Sequence, residues 1–390
     1  AASLRKAQRE WEARGAKGRA KTLARFAVWM ADHRDEIESL LVKETGKSAA
    51  DAAQEVPLLL MILSYYIKIM DKALAPETRP ASLPLLAMKK VTVHFRPRGL
   101  TGIIAPWNYP VANALMDAIS ALAAGCAVLL KPSERTPLTA ELIKRGWLDS
   151  GGPAVFDIAQ GMREVSEAVI DVSDFVQFTG SSATGVKVME RAARRLTPVS
   201  LELGGKDPMI VLEDADIDLA AHAAVWGAMF NAGQTCVSVE RVYVLDKVYD
   251  QFVQAVVRDV EALRVGAGAG NHFGALIDEQ QRAVTERHVA DALAKGARAH
   301  RRQADPRPGQ LLRADRAGRR RPLDALHDGG DVRPHPADHE GGVRRRGGQA
   351  GQRQRVRVEC LGVLRRRRPG SRHRRAVGVR SRQHQRRDHQ

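Results

Sequence analysis

Short apolar runs alternate with longer helix-patterned segments between residues 91 and 212, and this alternation limits the folds open to the chain. The runs at 100–105, 127–130, 155–159 and 175–178 have the length and composition of buried strands. Neighbouring parallel strands need a long crossover between them, which is usually a helix. The pattern therefore predicts an α/β chain with a parallel, doubly wound sheet of Rossmann-like type.

The regions on either side of these runs carry their own patterns. Residues 1–75 are helical in period, since Leu23, Phe26 and Met30 recur on one helix face. The longest apolar run, Val56 to Met70, is shorter than the roughly 20 residues that cross a bilayer, so we expect a buried helix and no membrane segment. A second region, in which strand-like and helix-like runs again alternate, follows Glu202 and runs to about residue 300.

Several of the predicted strands end in polar or glycine-rich motifs. Pro-Trp-Asn-Tyr-Pro at 106–110 ends the first, Lys-Pro-Ser-Glu at 131–134 the second, and Gly180 to Gly185 follows another. Ligands of open α/β sheets bind beyond the carboxyl ends of the strands. Each motif alone has an ordinary explanation, a solvated lysine or a plain turn, but their joint order indicates a ligand site.

Two cysteines stand in contrasting surroundings. Cys236 follows a Gly-Gln-Thr turn between a helix-like run at 220–229 and a strand-like run at 241–245, where solvent and ligand can reach it. Cys126 lies inside an apolar run. Because the thiolate is the nucleophile, placement and local charge decide reactivity, and Cys236 is the candidate. Glu202 could be a surface carboxylate.

Over residues 1 to about 300 the motifs resemble those of the aldehyde dehydrogenase superfamily, including Leu-Glu-Leu-Gly-Gly-Lys at 201–206 and Gly-Gln-Thr-Cys at 233–236. The run from Gly180 to Gly185, together with Glu202 to Ile210, is similar to the semialdehyde-oxidising branches of that superfamily. The resemblance implies an NAD-binding domain with N-terminal helices at 1–203. It also implies an incomplete catalytic domain of aldehyde dehydrogenase type at 204–300.

The resemblance assigns three catalytic roles. Cys236 matches the nucleophile, Asn108 the donor to the developing oxyanion, and Glu202 the general base that activates the hydrolytic water. These roles imply oxidation of an aldehyde to a free acid through a thiohemiacetal and a thioester. No metal is implied, and a small-molecule aldehyde is the expected substrate.

The resemblance also assigns a nicotinamide cofactor. Glu134 as a ribose acceptor would repel a 2′-phosphate, so NAD is preferred to NADP. Ser181 at a helix N-terminus matches a pyrophosphate contact, and Gly161 a cofactor-side turn, although Met162 follows where a second glycine is common. The expected cofactor-binding residues are Pro106, Trp107, Lys131, Ser133, Glu134, Gly161, Gly180, Ser181, Gly185 and Leu203.

Location and assembly are further expectations. Three cysteines and the absence of a charged-then-apolar leader predict a reducing cytoplasm without disulfides. The parent family implies a homodimer or homotetramer.

The last ninety residues have a different composition. Residues 301–390 contain 26 Arg, no Lys and 9 acidic residues, so this segment accounts for the whole net charge of +17. One alternative is a nucleic-acid-binding protein with a basic tail, which the lack of aromatic residues for base stacking disfavours. A second is a pseudoenzyme that retains only nucleotide binding.

A change of reading frame explains the tail more simply. When codons for 300–390 are shifted by one base, they permit E-E-x-F-G-P between residues 324 and 342, which is the family's second cofactor motif. Other family-like strings follow in the same frame. We therefore interpret residues 301–390 as out of frame and disordered, with a single-base shift close to His300. The C-terminal part of the catalytic domain is then lost from the chain as printed, which can leave this polypeptide inactive.

Overall fold

The computed structural model describes residues 1–79 and 90–298. Its N-terminal region is helical, as the period of residues 1–75 predicts, and Leu23, Phe26 and Met30 are buried. A short antiparallel pair of strands follows. These elements are α1 (Ala2–Ala13), α2 (Gly15–Asp32), α3 (Arg34–Thr45), α4 (Ala49–Ala52), α5 (Glu55–Ala73), β1 (Glu77–Arg79) and β2 (Val91–Val93).

A five-stranded parallel sheet forms the centre of the molecule. Its strands stand in the order β5-β4-β3-β6-β7. The α/β class and the parallel sheet are therefore confirmed. The strands are β3 (Leu100–Ile104), β4 (Ala127–Lys131), β5 (Phe156–Ile158), β6 (Phe175–Gly180) and β7 (Val199–Leu203).

Helices α6 (Pro110–Ala124), α7 (Pro137–Asp149), α8 (Arg163–Val172) and α9 (Ser182–Ala193) connect the strands. The chain winds outward from β3 through β4 to β5, then α8 carries it back to β6 on the other side of β3. The strand order therefore reverses between β3 and β6, and this is the position where open α/β sheets bind ligands.

Sequence analysis began the second region after Glu202, and the structure places Glu202 itself in the first sheet. Glu202 lies in β7, the fifth strand of the first sheet, where it pairs with Thr179. The residues of β7 are only partly buried because β7 is an edge strand. Its polar sequence, Val-Ser-Leu-Glu-Leu, lacked the continuous apolar signal by which the central strands were recognised.

A smaller parallel pair of strands, with its own apolar core, follows the first sheet. Met209, Val211 and Ala220 are buried in this core. The division into domains at residue 203 remains a prediction. The elements here are β8 (Asp207–Val211), α10 (Ile217–Met229), β9 (Val239–Val244), α11 (Asp246–Glu261) and α12 (Glu279–Ala294).

Helix α5 differs from the wholly buried helix predicted for residues 56–70. Val56 and Leu63 are buried, whereas Met61 and Tyr65 are 66% and 58% exposed. In the described part of the chain, Ala49–Ala73 is long and apolar enough by length and composition to span a membrane, with 28% of it buried. The helix is thus amphipathic, with one apolar face packed on the core. The predicted out-of-frame segment, 301–390, lies outside the described residues.

Candidate active site

The predicted cofactor residues gather at the carboxyl edge of the large sheet. Lys131 ends β4 and is buried, and its Nζ lies 3.1 Å from Oε2 of Glu134. Partial burial alone would raise the pKa of Glu134, but hydrogen bonds from its own backbone amide and from Lys131 lower it below the usual value. An anionic, exposed carboxylate therefore stands beside the end of β4.

The neighbouring segment after β3 carries Pro106 and Trp107, both half-buried. The guanidinium of Arg135 lies over the Trp107 ring, 5.5 Å from its centroid. Ser133 is buried, and its Oγ accepts a hydrogen bond of 3.3 Å from the backbone N–H of Arg135. The loops after β3 and β4 thus contact each other at this edge.

Glycines shape the other half of the edge. Gly161 has φ 145°, and a Cβ there would clash with Val165. Gly185 is buried in α9, where an added Cβ would lie 2.8 Å from Leu203 Cδ2 at the end of β7. These two positions let the backbone pass close to its neighbours, which a larger residue would prevent.

Gly180 ends β6, and Ser181 follows it as the N-cap of α9. The Ser181 Oγ accepts from the backbone N–H of Thr184 at 3.4 Å. Ser181 is exposed, and the free N–H groups of the first turn of α9 are directed toward the carboxyl edge of β6. Such a terminus suits an anionic group.

Cys236 lies on a strained turn after α10. Asn231 and Ala232 have φ of 51° and 58°, and Gly233 has φ of 75°, so three consecutive residues adopt left-handed backbone. For residues other than glycine this conformation costs about 1–3 kcal/mol each. Cys236 is exposed beyond this turn, whereas Cys126 is buried. The contrast predicted between the two thiols is confirmed.

Asn108 contacts this turn directly. Its Nδ2 donates to the backbone oxygen of Gln234 at 2.9 Å, and its Oδ1 accepts from Asn113 Nδ2 at 3.0 Å. The hydroxyls of Tyr109 and Thr235 lie 2.7 Å apart. The structure therefore joins the 106–110 segment to the turn that carries Cys236, across more than 120 residues of sequence.

Glu202 lies on β7 with its side chain exposed. Burial, followed by the nearby charge of Glu202, raises the pKa of Asp117 in α6 to about 6, and a hydrogen bond with Gln177 opposes this rise. Glu202 thus stands near α6, whose first turn follows Asn108. Within residues 1–79 and 90–298, no hydrogen bond joins Glu202 to Cys236 or Asn108.

Sequence reasoning missed the charged residues behind the site. Lys47, Asp51, Glu55 and Asp117 are buried or half-buried around these segments. Lys47 lies 61 positions from Asn108 in sequence, and no local pattern shows that a charge is buried. The one available signal was the polar stretch from Lys47 to Glu55, which directly precedes the apolar helix α5. The described ranges contain no group of three or more side chains that could hold a metal ion.

An open parallel sheet with polar residues at its switch point, facing an exposed cysteine on a strained turn, defines a dinucleotide-binding α/β protein with a candidate thiol nucleophile. The model of the aldehyde dehydrogenase family matches residues 1–312. The chain belongs to this family.

Related proteins agree with that assignment. The chain is 38% identical over 304 residues to a putative succinate-semialdehyde dehydrogenase [NADP(+)] 2 of Mycobacterium ulcerans, covering 76% of this chain and 58% of that protein. It is 38% identical over 294 residues to the succinate-semialdehyde dehydrogenase [NADP(+)] of Escherichia coli, covering 74% and 60%. The chain therefore matches about three fifths of the length of these relatives.

A solved structure shows the same fold. The crystal structure of an NADP-dependent enzyme of E. coli superposes with a TM-score of 0.76 at 35% identity, covering 80% of this chain and 66% of that one.

Proposed function

We propose that this site oxidises an aldehyde to a carboxylic acid with a nicotinamide dinucleotide. The observation that carries the proposal is the hydrogen bond from Asn108 Nδ2 to the Gln234 carbonyl, 2.9 Å long. It holds a side-chain amide two residues from the exposed Cys236, beside the switch point of the sheet. An amide donor next to a thiol is the pair needed to attack a carbonyl carbon and stabilise the resulting oxyanion.

The first step belongs to Cys236 and Asn108. The Cys236 thiolate forms a bond to the aldehyde carbon, and the carbonyl π electrons move to oxygen. The backbone N–H of Cys236 donates to that oxygen, together with the second N–H of the Asn108 amide, whose first N–H stays on the Gln234 carbonyl. One such donor is worth about 3 kcal/mol in the transition state.

Glu202 serves the second step. A nicotinamide held at the carboxyl edge would supply the acceptor for the hydride that the substrate carbon loses, so that the acyl group remains on Cys236 as a thioester. The Glu202 carboxylate then takes a proton from water, the water oxygen bonds to the acyl carbon, and the Cys236 thiolate leaves. The product is a free carboxylic acid.

The carboxyl edge of the sheet fits a dinucleotide. The pyrophosphate would lie at the α9 N-terminus by Ser181, against backbone that Gly185 keeps close to Leu203. The ribose would bind Lys131 and Glu134, with Pro106, Trp107, Ser133, Gly161 and Gly180 forming the surrounding wall. The anionic Glu134 supports NAD because it would repel a 2′-phosphate. The names of the two relatives above carry NADP, which supports the opposite preference.

The substrate and assembly are also proposed. The relatives' names make succinate semialdehyde the first aldehyde to test. The similarity of residues 180–185 and 202–210 to the semialdehyde-oxidising branches supports the same choice. We propose a cytoplasmic homodimer or homotetramer. The alternative is binding of nucleic acid through the Arg-rich tail, and salt distinguishes the two: such binding would weaken steeply as salt rises, whereas formation of reduced cofactor would not depend on the charge of the tail.

The test uses the full chain with succinate semialdehyde and a panel of other aldehydes, and follows reduced-cofactor absorbance with NAD and with NADP. With the reading frame restored near residue 300, wild type and Cys126→Ala should form product, and Cys236→Ala should not. Cofactor binding without turnover in the wild type would indicate the pseudoenzyme. Activity that survives Cys236→Ala would refute the nucleophile.

A further inference from the structure

Four polar side chains between the end of α3 and the start of α5 are almost completely buried behind the site. Lys47, Ser48, Asp51 and Glu55 are each 2% exposed or less. Lys47 and Glu55 form an ion pair with Nζ 2.7 Å from Oε1. We call these four residues the N-terminal polar cluster. Charged groups are seldom buried so deeply unless they are paired and hydrogen-bonded.

One side of the cluster holds the segment that carries Asn108. Lys47 Nζ donates to the Asn108 carbonyl at 3.0 Å and lies 4.7 Å from the centroid of the Tyr109 ring. Glu55 Oε2 accepts from the backbone N–H groups of Val111 and Ala112 at 3.0 and 2.9 Å. The N-cap residue of α6, Tyr109, makes no side-chain capping bond. Glu55 therefore caps α6 from another helix.

The other side of the cluster holds the turn that leads to Cys236. Asp51 Oδ1 accepts from the backbone N–H of Asn231 at 3.2 Å, and Ser48 Oγ donates to Asp51 Oδ2 at 2.8 Å. Asn231 Nδ2 in turn donates to the Asn108 carbonyl at 3.0 Å. The Asn108 carbonyl thus receives one bond from Lys47 and one from the Cys236 turn.

Stability alone does not explain this arrangement. A buried ion pair is often replaceable by apolar residues of similar volume without loss of stability. Here the charges are directed at backbone groups of the two segments that must meet for catalysis, and one of these groups belongs to a left-handed residue, Asn231. A fixed acceptor at Asp51 holds that backbone in a conformation it would otherwise leave.

We infer that Lys47, Asp51 and Glu55 are positioning residues that hold the Asn108 amide and the Cys236 turn at a fixed separation. The inference rests on the proposed function for its catalytic meaning, because the two segments carry the proposed oxyanion donor and nucleophile. The geometric part can be measured without turnover.

Hydrogen–deuterium exchange of the full chain tests the geometry. Glu55→Gln removes the charge opposite Lys47, so exchange should rise about tenfold in 106–112 and 230–236 and stay unchanged in β3 and β4. Glu44→Gln is the matched control. Glu44 caps α7 in the same way, accepting from the N–H groups of Leu138 and Thr139, and should leave 230–236 unchanged.

A second pair of variants keeps the test decisive if Glu55→Gln does not fold. Asp51→Ala removes the acceptor for the Asn231 N–H and should raise exchange in 230–236, whereas Asp51→Asn keeps an acceptor oxygen and should restore protection. An exchange increase spread evenly over β3, β4 and β6 would show a general structural role and overturn the inference. No change at 230–236 in Asp51→Ala would also overturn it.

Kinetics separate this inference from the proposed function. In an active chain, Asp51→Ala should lower kcat by about a hundredfold and leave KM within a few fold, since misplacement acts on the transition state. If the wild type with its reading frame restored forms no reduced cofactor with any aldehyde, the proposed function fails. The exchange pattern still decides whether the cluster positions the two segments.

Discussion

The hydroxyl of Tyr109 lies 2.7 Å from the hydroxyl of Thr235, and this contact joins the segment after β3 to the turn before Cys236. Either oxygen can donate, and Thr235 Oγ1 also lies 3.4 Å from the carbonyl of Phe230. The Tyr109 ring packs near Phe230, with centroids 6.1 Å apart. The two segments are therefore joined by polar and aromatic contacts.

Tyr109→Phe should lower the free energy of unfolding by about 1 kcal/mol, because it removes one partly buried hydrogen bond and keeps the ring. It should also lower kcat, since the Cys236 turn loses a point of attachment. Urea unfolding and steady-state rates check both effects. Tyr65→Phe on the exposed face of α5 is the control and should stay within about 0.5 kcal/mol of wild type. Equal effects of the two changes would contradict the prediction.

Asp117 should make the protein less stable as pH rises. Its folded pKa is about 6, above the unfolded value of about 3.9. Between these values the native state keeps a proton that the unfolded state has lost, so stability falls as pH increases through the window. Asp117→Asn should flatten this dependence and raise the free energy of unfolding at pH 7 by at most about 3 kcal/mol.

Asp171 is the control for that experiment, because its effect on stability should change with pH in the opposite direction. Its ion pair with Arg191 holds the pKa of Asp171 below the usual value, so its stabilising effect is present at neutral pH and is lost in acid. Asp171→Asn should therefore lower stability at pH 7, by a small amount because the pair is at the surface. Urea midpoints at about pH 3 and pH 7 distinguish the two variants, and parallel behaviour would refute the assignment for Asp117.

Glu202→Gln should separate the two halves of the proposed reaction. The amide cannot take a proton from water, so thioester hydrolysis should slow by about 10²–10⁴-fold while its formation continues. A burst of one reduced cofactor per active site and an acyl adduct on Cys236 in the intact mass are the expected readouts. If Glu202→Gln abolishes the burst as well as steady-state turnover, Glu202 does not act as the base.

Glu134→Gln should shift cofactor preference toward NADP. The substitution removes the anionic charge that would repel a 2′-phosphate, and it keeps a polar group for the ribose. The ratio of kcat/KM for NAD to that for NADP should fall by about tenfold, which corresponds to 1.4 kcal/mol. Glu141→Gln, on the exposed surface of α7, should leave the ratio unchanged. An unchanged ratio in Glu134→Gln would show that Glu134 does not set the preference.

The proposed change of reading frame near His300 has a direct genetic test. Sequencing the gene across that codon should show a one-base shift, and the restored frame should encode the E-E-x-F-G-P motif. A protein whose measured mass equals that of the printed 390 residues, from a gene confirmed in the same frame, would refute the hypothesis.

The central strands were predictable because burial on both faces gives continuous apolar runs, as in Leu100–Ile104 and Ala127–Lys131. The residues at the carboxyl edge were predictable because strand ends place them there. The contact between Asn108 and the Cys236 turn followed only from the family resemblance. Strand β7 and the buried pair of Lys47 and Glu55 were not predictable, since edge strands are mixed in polarity and long-range pairing leaves no local periodicity.

Because β3 is central, its two neighbouring strands are synthesised at different times. One neighbour, β4, follows after a single helix, but the other, β6, begins only at Phe175. A nascent chain therefore exposes one flank of Leu100–Ile104 until about seventy further residues have left the ribosome. During that interval the open flank can pair with foreign strands, so slow translation across residues 105–175 should favour chaperone capture of this polypeptide.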